Sequence, residues 1–243
     1  MIASTNEQLI VTSDTTVGVI VADDFRTAGV FEKHGIDFCC GGRISLADIC
    51  RQKGVDPALL LQELSAVKNT PVDRSHNYSD WALPFLADYI VNTHHSYLNQ
   101  NLEQIAAYTS KIAEVHGGHH PEVIEIAAIF AGIATDMAAH LREEEEVLFP
   151  AIKRIDNAGK SGNTPEIADL ATIKDTLAKL DQEHQAIGDA VHSIRHLANG
   201  YVIPGDVCNT FVVTYHKLQE FEDDLHKHVH LENNILFPKA ALM

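Results

Sequence analysis

One pattern occurs twice in this sequence and restricts the fold more than any other feature. The segment from His140 to Pro150 aligns without a gap with the segment from His228 to Pro238. In both, a histidine is followed four residues later by a glutamate and then by Leu-Phe-Pro. Residues four apart lie on the same face of an α-helix, one turn from each other. Each segment therefore predicts a helix that presents an imidazole and a carboxylate side by side.

The repeat lies within four long segments that have the periodicity of amphipathic helices. They run from about Asp80 to Val115, from Pro121 to Asp156, from Pro165 to Gly200 and from Pro204 to Asn234. Short connections with glycine or proline join them, as expected at helix ends. No β-type alternation is present. The pattern predicts an all-α protein whose C-terminal part, residues 79–243, is an up-down-up-down four-helix bundle.

A small helical domain is predicted ahead of the bundle, over residues 14–68. Its short helices are expected at Val17 to Glu32, Ser45 to Lys53 and Pro57 to Val67. A turn with the sequence Cys39-Cys40-Gly41-Gly42 lies between the first two. The polar stretch from Lys68 to Tyr78 contains a proline and lacks periodicity, which indicates a linker between the two domains.

Six polar residues interrupt the apolar stripes of the four bundle helices. They are His94, His140, Glu144, His184, His228 and Glu232. Burying such groups is costly unless something satisfies them, and metal ions would do so. A single histidine on an apolar face is usually a core residue, but four interrupted stripes favour a metal site. His95 and His230 are predicted to be non-ligands because neighbouring residues on a helix point about 100° apart.

The types of donor atom narrow the choice of metal. Four imidazoles and two carboxylates, without thiolate, favour a borderline first-row ion. A structural zinc site would be mononuclear and closed by four ligands. Six ligands, two of which can bridge, predict a pair of non-haem iron ions with open coordination positions. Manganese and zinc remain alternatives.

Charge and composition exclude several classes of partner. The formal net charge of −16 disfavours nucleic acid and anionic membrane surfaces, both of which need basic footprints. No apolar run is long enough for a membrane span, and no signal sequence is predicted at the N-terminus. The four cysteines form no disulfide framework, which fits the reducing cytoplasm.

The cysteines divide into two pairs by their surroundings. Cys39 and Cys40 are flanked by glycines in a turn where both sulfurs are expected to be exposed, which predicts a thiol function in metal or NO-group exchange. The alternative is a tight turn with one buried cysteine. Cys50 and Cys208 are predicted to be core residues. Glu183 is expected to face solvent, with a place on an iron exit path as the alternative. The loop residues His116, His119 and His120 are also expected to face solvent, with a weak metal site as the alternative.

Two motifs together resemble a known family. The sequence Asp37-Phe38-Cys39-Cys40-Gly41-Gly42 and the segment from His228 to Pro238 are similar to those of the RIC (repair of iron centres) proteins, also called the YtfE/ScdA/DnrN family, of the hemerythrin-like superfamily. The resemblance implies a di-iron centre bridged by the two glutamates and a solvent-derived oxygen. It also implies cytoplasmic dimers that restore iron–sulfur clusters damaged by nitric oxide or peroxide, with damaged iron–sulfur proteins as partners.

Other functions of the same centre stay open at this point. One is a sensor that binds NO or O₂, and another is a di-iron NO reductase. Hemerythrins use five histidines, and the four found here favour iron exchange or reaction with NO over oxygen carriage. The His-x-x-x-Glu order differs from the Glu-x-x-His pairs of ferritin-like proteins. An iron donor for repair is therefore preferred to an enzyme with turnover.

Overall fold

The computed structural model describes residues 9–68 and 77–243. Over these residues the protein is all-α, and the β-type pairing they contain is an isolated bridge between Thr16 and Ser45. The predicted fold class is confirmed. The chain divides into two compact units. The first contains residues up to Trp81 together with His230–Ile235, and the second contains Ala82–Val229 and Leu236–Met243.

Within residues 9–68, four α-helices build the N-terminal part of the first unit. They are α1 (Val17–Asp23), α2 (Ala28–Lys33), α3 (Leu46–Lys53) and α4 (Pro57–Lys68). The single helix predicted over residues 17–32 is broken at Asp24. The Asp24 carboxylate accepts a hydrogen bond from the Arg26 backbone N–H at 3.1 Å and binds the Arg26 guanidinium, which stabilises a separate 3₁₀ turn. The predicted linker lies mostly outside the described residues.

Within residues 77–243, seven further α-helices form the four rods of the bundle. They are α5 (Leu83–Ile90), α6 (Ser96–His116), α7 (Glu122–Glu143), α8 (Phe149–Lys160), α9 (Ile167–Leu197), α10 (Asn209–Leu231) and α11 (Phe237–Ala240). The first rod begins at Leu83, because Asp80 belongs to a preceding 3₁₀ turn. The third rod ends where Asn199 and Gly200 adopt positive φ values of 51° and 66°.

Apolar stripes build the bundle core as the periodicity predicts. In α9, the residues Ile173, Leu180, Ile187 and Ile194 recur every seven positions and are buried. His184 lies on the same face and is also buried. Helix α6 packs against α7, both α7 and α8 pack against α9, and α5 packs against α8. The predicted ligands therefore enter the core from faces that are otherwise hydrophobic.

Three π-helical turns interrupt the rods over the described part of the bundle. They span Val91–His95, Glu144–Leu148 and Glu232–Leu236. Pro150 and Pro238 follow the second and third turns closely. Proline lacks an N–H donor and its ring clashes with the carbonyl four residues earlier, so a wider turn relieves both problems. Such turns insert a residue into a helix and are frequent at functional sites.

The first π-turn changes which histidine faces the core. In an uninterrupted helix, the inward position after Ile90 would be four residues later, at His94. The inserted residue moves that position to His95. Both histidines are buried, with 1% and 0% of their surfaces exposed. The Nε2 atom of His95 lies 3.4 Å from the buried Glu144 carboxylate. The prediction that His95 points away from the centre is therefore wrong, because the π-turn changes the helical phase.

The second rod is notable for its length and hydrophobicity. Over residues 122–160 it is long and apolar enough to cross a membrane by length and composition only, so the expectation that no apolar run reaches that length is wrong. Core helices of soluble proteins meet the same criteria. This rod carries His140 and Glu144, which are both buried. The predicted absence of a membrane partner stays a prediction.

Candidate metal centre

Two groups of potential ligands meet inside the protein. One contains His95, Glu144, His228 and Glu232, and the other contains His140, Glu144, His184 and Glu232. Within each group, one donor atom of every residue lies within 4.8 Å of the others. All six residues are buried. The groups comprise four histidines and two glutamates, which matches the predicted donor set with His95 in place of His94.

The two glutamates belong to both groups. Glu144 and Glu232 begin corresponding π-turns in the two halves of the sequence repeat. Both have no exposed surface. Burying two carboxylates in a hydrophobic core is unfavourable unless cations balance them. A carboxylate shared by two groups can bridge two ions, so the donor set fits a dinuclear metal site.

Imidazole nitrogens converge on Glu144 from different rods. The Nε2 atoms of His95 and His140 both lie 3.4 Å from Glu144 Oε2. The Nε2 atom of His184 lies 3.0 Å from that of His140. Nitrogen lone pairs packed this closely are favourable when they share a cation, as in metal sites.

Carboxylates outside the two groups orient two of the imidazoles. The Nδ1 atom of His140 lies 2.9 Å from Glu183 Oε2, and that of His95 lies 2.8 Å from Glu145 Oε1. An ionised carboxylate only accepts, so each Nδ1 carries the proton and each Nε2 keeps its lone pair for the centre. Burial opposes ionisation of Glu183, but His140 and nearby Lys179 hold the pKa of that carboxyl below its usual value. Glu183 therefore contacts a histidine of the second group, while its side chain remains 33% exposed to solvent.

The phenylalanine of the repeated Leu-Phe-Pro segment packs on a histidine ring in each half. Phe149 stacks on His95 with ring centroids 5.7 Å apart. Phe237 stacks on His184 at 5.6 Å, with the rings within 4° of parallel. Each repeat thus supplies a histidine and a glutamate directly and holds a second histidine, from another rod, in place through its phenylalanine.

His94, which the sequence predicts to be a ligand, lies outside both groups. Its Nδ1 atom lies 2.9 Å from Asp224 Oδ1, and its ring stacks in parallel on His228 at 5.5 Å. Tyr97 is near the same acidic residue. Burial, and then the charges of Glu220 and Asp224, raise the pKa of the Tyr97 hydroxyl above its usual range. His94 therefore contacts His228 from outside both groups, and its role as a ligand stays a prediction.

The cysteine turn is more enclosed than the sequence predicts. Cys39 is 5% exposed and Cys40 is half-buried, so the expectation that both sulfurs are exposed is wrong. Asp37 Oδ1 accepts the backbone N–H groups of Cys39 and Cys40 at 2.8 and 3.1 Å, and the Cys39 thiol at 3.1 Å. The hydrogen bond to Cys40 and burial raise the pKa of Cys39 well above its usual value. These three side chains form a further group of potential metal ligands.

The segment His230–Ile235 belongs to the same compact unit as this turn. The Asn234 amide donates a hydrogen bond to the Phe38 carbonyl at 3.2 Å. His230 lies between the rings of Phe25 and Phe38, at 5.5 and 5.7 Å, outside both histidine–glutamate groups. Burial lowers the pKa of His230 to about 3, which keeps it neutral. Glycine is required at Gly42, because a Cβ atom there would lie 2.6 Å from the Phe38 carbonyl oxygen.

Comparison with known proteins agrees with this architecture. Residues 13–68 match the ScdA_N domain, described as a domain of unknown function. Residues 86–240 match the hemerythrin HHE cation binding domain. The iron–sulfur cluster repair protein ScdA of Staphylococcus haemolyticus is 31% identical over 96% of this chain and 100% of its own length. The chain belongs to the ScdA/YtfE family.

Other relatives extend the match across the family. ScdA of Staphylococcus epidermidis is 30% identical over 96% of this chain and its own full length. The iron–sulfur cluster repair protein YtfE of Yersinia pseudotuberculosis is 30% identical over 88% of this chain and 91% of its own length. The family resemblance predicted from the sequence is thus confirmed, and the ScdA/YtfE match includes both domains.

Some residues around the centre carry no signal in the sequence. A regular helical phase predicts that His95 points away from the centre. Glu145 and Asp224 lie on helix faces whose sequence resembles that of solvent-exposed faces. Phe149 and Phe237 do carry a signal, because the internal repeat preserves them. A repeated residue on a buried face indicates a shared contact, and here that contact is a histidine ring.

Proposed function

We propose that this member of the ScdA/YtfE family holds two iron ions and restores damaged iron–sulfur clusters by donating iron. The observation that carries the proposal is the pair of four-residue groups that share Glu144 and Glu232. His95 and His228 would supply nitrogen to one ion, and His140 and His184 to the other. This assignment replaces His94 with His95 in the ligand set.

The donor chemistry favours iron that can be exchanged. Each ion would receive two imidazoles and share two carboxylates, without thiolate, which suits first-row ions. Such a set leaves positions open for solvent or another ligand. When bound, iron supplies Lewis acidity and redox chemistry. The chain itself holds the imidazole protons at Nδ1, through Glu183 and Glu145, so that Nε2 faces inward.

Iron would be the cargo that the protein delivers to the client cluster. Relatives that match over nearly the whole chain are named iron–sulfur cluster repair proteins. On the family resemblance, we propose a cytoplasmic homodimer that acts on clusters damaged by nitric oxide or oxidants.

The proposed function is tested by reactivation of a damaged cluster enzyme. Aconitase inactivated by nitric oxide should regain activity faster with the iron-loaded protein than with an equal amount of free ferrous iron. Iron-free protein and the iron-treated E144Q variant serve as controls. Equal recovery with protein and with free ferrous iron would exclude the donor role.

The ligand assignment is tested by exchanging two neighbouring histidines separately. We expect His95→Gln to lower iron from about two per chain to one or fewer, because ligand loss weakens metal binding strongly. We expect His94→Gln to keep the full stoichiometry after saturating reconstitution, with affinity lowered by about 10- to 100-fold, because it contacts a ligand but is not one. Iron content per folded chain is the measurement. The reverse result would return His94 to the ligand set.

A further inference from the structure

A second reactive group lies in the bundle unit, among residues that the proposed function does not use. Cys208 is exposed and directly precedes α10. Its Sγ atom lies 3.1 Å from Nε2 of His116, the last residue of α6. The prediction that Cys208 is a core residue is therefore wrong. Cys50, by contrast, is buried as expected.

The histidine beside Cys208 is held in place by its neighbours. The ring of Phe211, which is fully buried, contacts the His116 ring edge to face at 5.4 Å and the His120 ring at 5.6 Å. His120 lies between two carboxylates, with Nδ1 3.2 Å from Glu122 and Nε2 3.3 Å from Asp206. These contacts join the α6–α7 loop to the segment before α10. A nucleophile whose basic partner is itself oriented is typical of reactive thiols.

The start of α10 also favours a negative charge on the sulfur. The backbone N–H groups of Phe211 and Thr210, and the Thr210 side chain, donate hydrogen bonds toward it. Unpaired N–H groups in the first helical turn stabilise anions. The hydrogen bond with His116, followed by those from the helix, lowers the pKa of Cys208 to about 7. Burial instead raises the pKa of Cys50.

We propose that Cys208 is a site of S-thiolation, at which the sulfur reacts with small disulfides of the glutathione-disulfide class and His116 acts as its acid–base partner. The Cys208 thiolate attacks one sulfur of the disulfide. A bond forms between that sulfur and Sγ, and the original S–S bond breaks. The departing thiolate takes the electron pair and receives a proton from the His116 imidazolium. Cys208 is oxidised to a mixed disulfide, and the departing thiol is the reduced product.

The pH dependence of the reaction separates this role from simple exposure. Removing His116 should raise the thiol pKa, which lowers the thiolate fraction at pH 7 but makes each thiolate a stronger nucleophile. If the pKa of the thiol returns toward that of an ordinary cysteine, H116Q should react about two- to sixfold more slowly than the wild type at pH 7. Near pH 10 it should react faster than the wild type. A structural role of His116 would change the rate in the same direction at both pH values.

The experiment uses the full chain with oxidised glutathione as the probe. Mass spectrometry of peptides measures the rate of thiolation at each cysteine for the wild type, C208S, H116Q and the matched control H119Q, whose histidine is exposed in the same loop. Circular dichroism verifies that each variant is folded. We expect Cys208 to react faster than Cys50, C208S to lose that adduct, H119Q to behave as the wild type, and H116Q to show the crossover. Equal rates at Cys208 and Cys50, or H116Q profiles parallel to the wild type, would overturn the proposal.

Discussion

Replacing Glu144 with glutamine is expected to remove iron from both positions of the centre. Glu144 belongs to both ligand groups, so a neutral amide in its place weakens both positions together. We expect iron to fall from about two per chain to below about one half after anaerobic reconstitution and desalting, because metal affinity depends on deprotonated ligands. Glu232→Gln should behave in the same way, since Glu232 occupies the equivalent place in the repeat.

Glu146→Gln is the matched control for this change. Glu146 lies two residues away in the same π-turn and is exposed. The Glu146→Gln variant should retain the full iron content of the wild type. A Glu146 variant that loses as much iron as E144Q would mean that the turn, and not the carboxylate, is what holds the metal.

Stability measurements separate a ligand from a structural residue. Iron should raise the melting temperature of the wild type but not that of E144Q, because binding free energy adds to folding free energy. Without iron, the free energy of unfolding of E144Q should exceed that of the wild type by about 1–3 kcal/mol, since a buried carboxylate is unfavourable without a cation. A large destabilisation of iron-free E144Q would contradict this account.

Deleting Asn92 is expected to leave the centre intact, although it shortens a core helix by one residue. Asn92 lies in the π-turn Val91–His95 and is exposed. Removing one residue from a π-turn restores an ordinary α-helical turn. His95 then follows Ile90 by four positions and still faces the core. We expect iron content and melting temperature close to those of the wild type.

Deletion of Asn99 provides the control, because it is also an exposed asparagine but lies in the regular helix α6. Without a π-turn to absorb the change, the deletion rotates His95 by about 100° relative to the stripe that follows. We expect loss of iron and a destabilisation of about 3 kcal/mol or more, as apolar residues leave the core. Equal damage from the two deletions would show that the π-turn does not set the phase of His95.

Much of the fold can be read from local patterns. Apolar residues every three or four positions define the four rods, because a helix must bury one face. The repeat of His140 and Glu144 at His228 and Glu232 identifies the pairs that meet in the core. Five of the six predicted ligand residues lie in the two groups brought together in the structure.

The remaining features depend on tertiary structure for definite physical reasons. Periodicity assumes a constant rotation of about 100° per residue, and the π-turn before His95 breaks that assumption. The contacts of His140 with Glu183 and of His95 with Glu145 join residues 43 and 50 positions apart. No local pattern encodes a pairing over such distances.

The sequence by itself determined the rods, the repeat and the donor types, because these follow from local helix geometry and side-chain chemistry. The tertiary structure decided which of two adjacent histidines faces the centre, because helical phase depends on where the π-turn forms. It also decided that Cys39 is enclosed and Cys208 exposed, since burial depends on what packs against a residue and not on its neighbours in the chain.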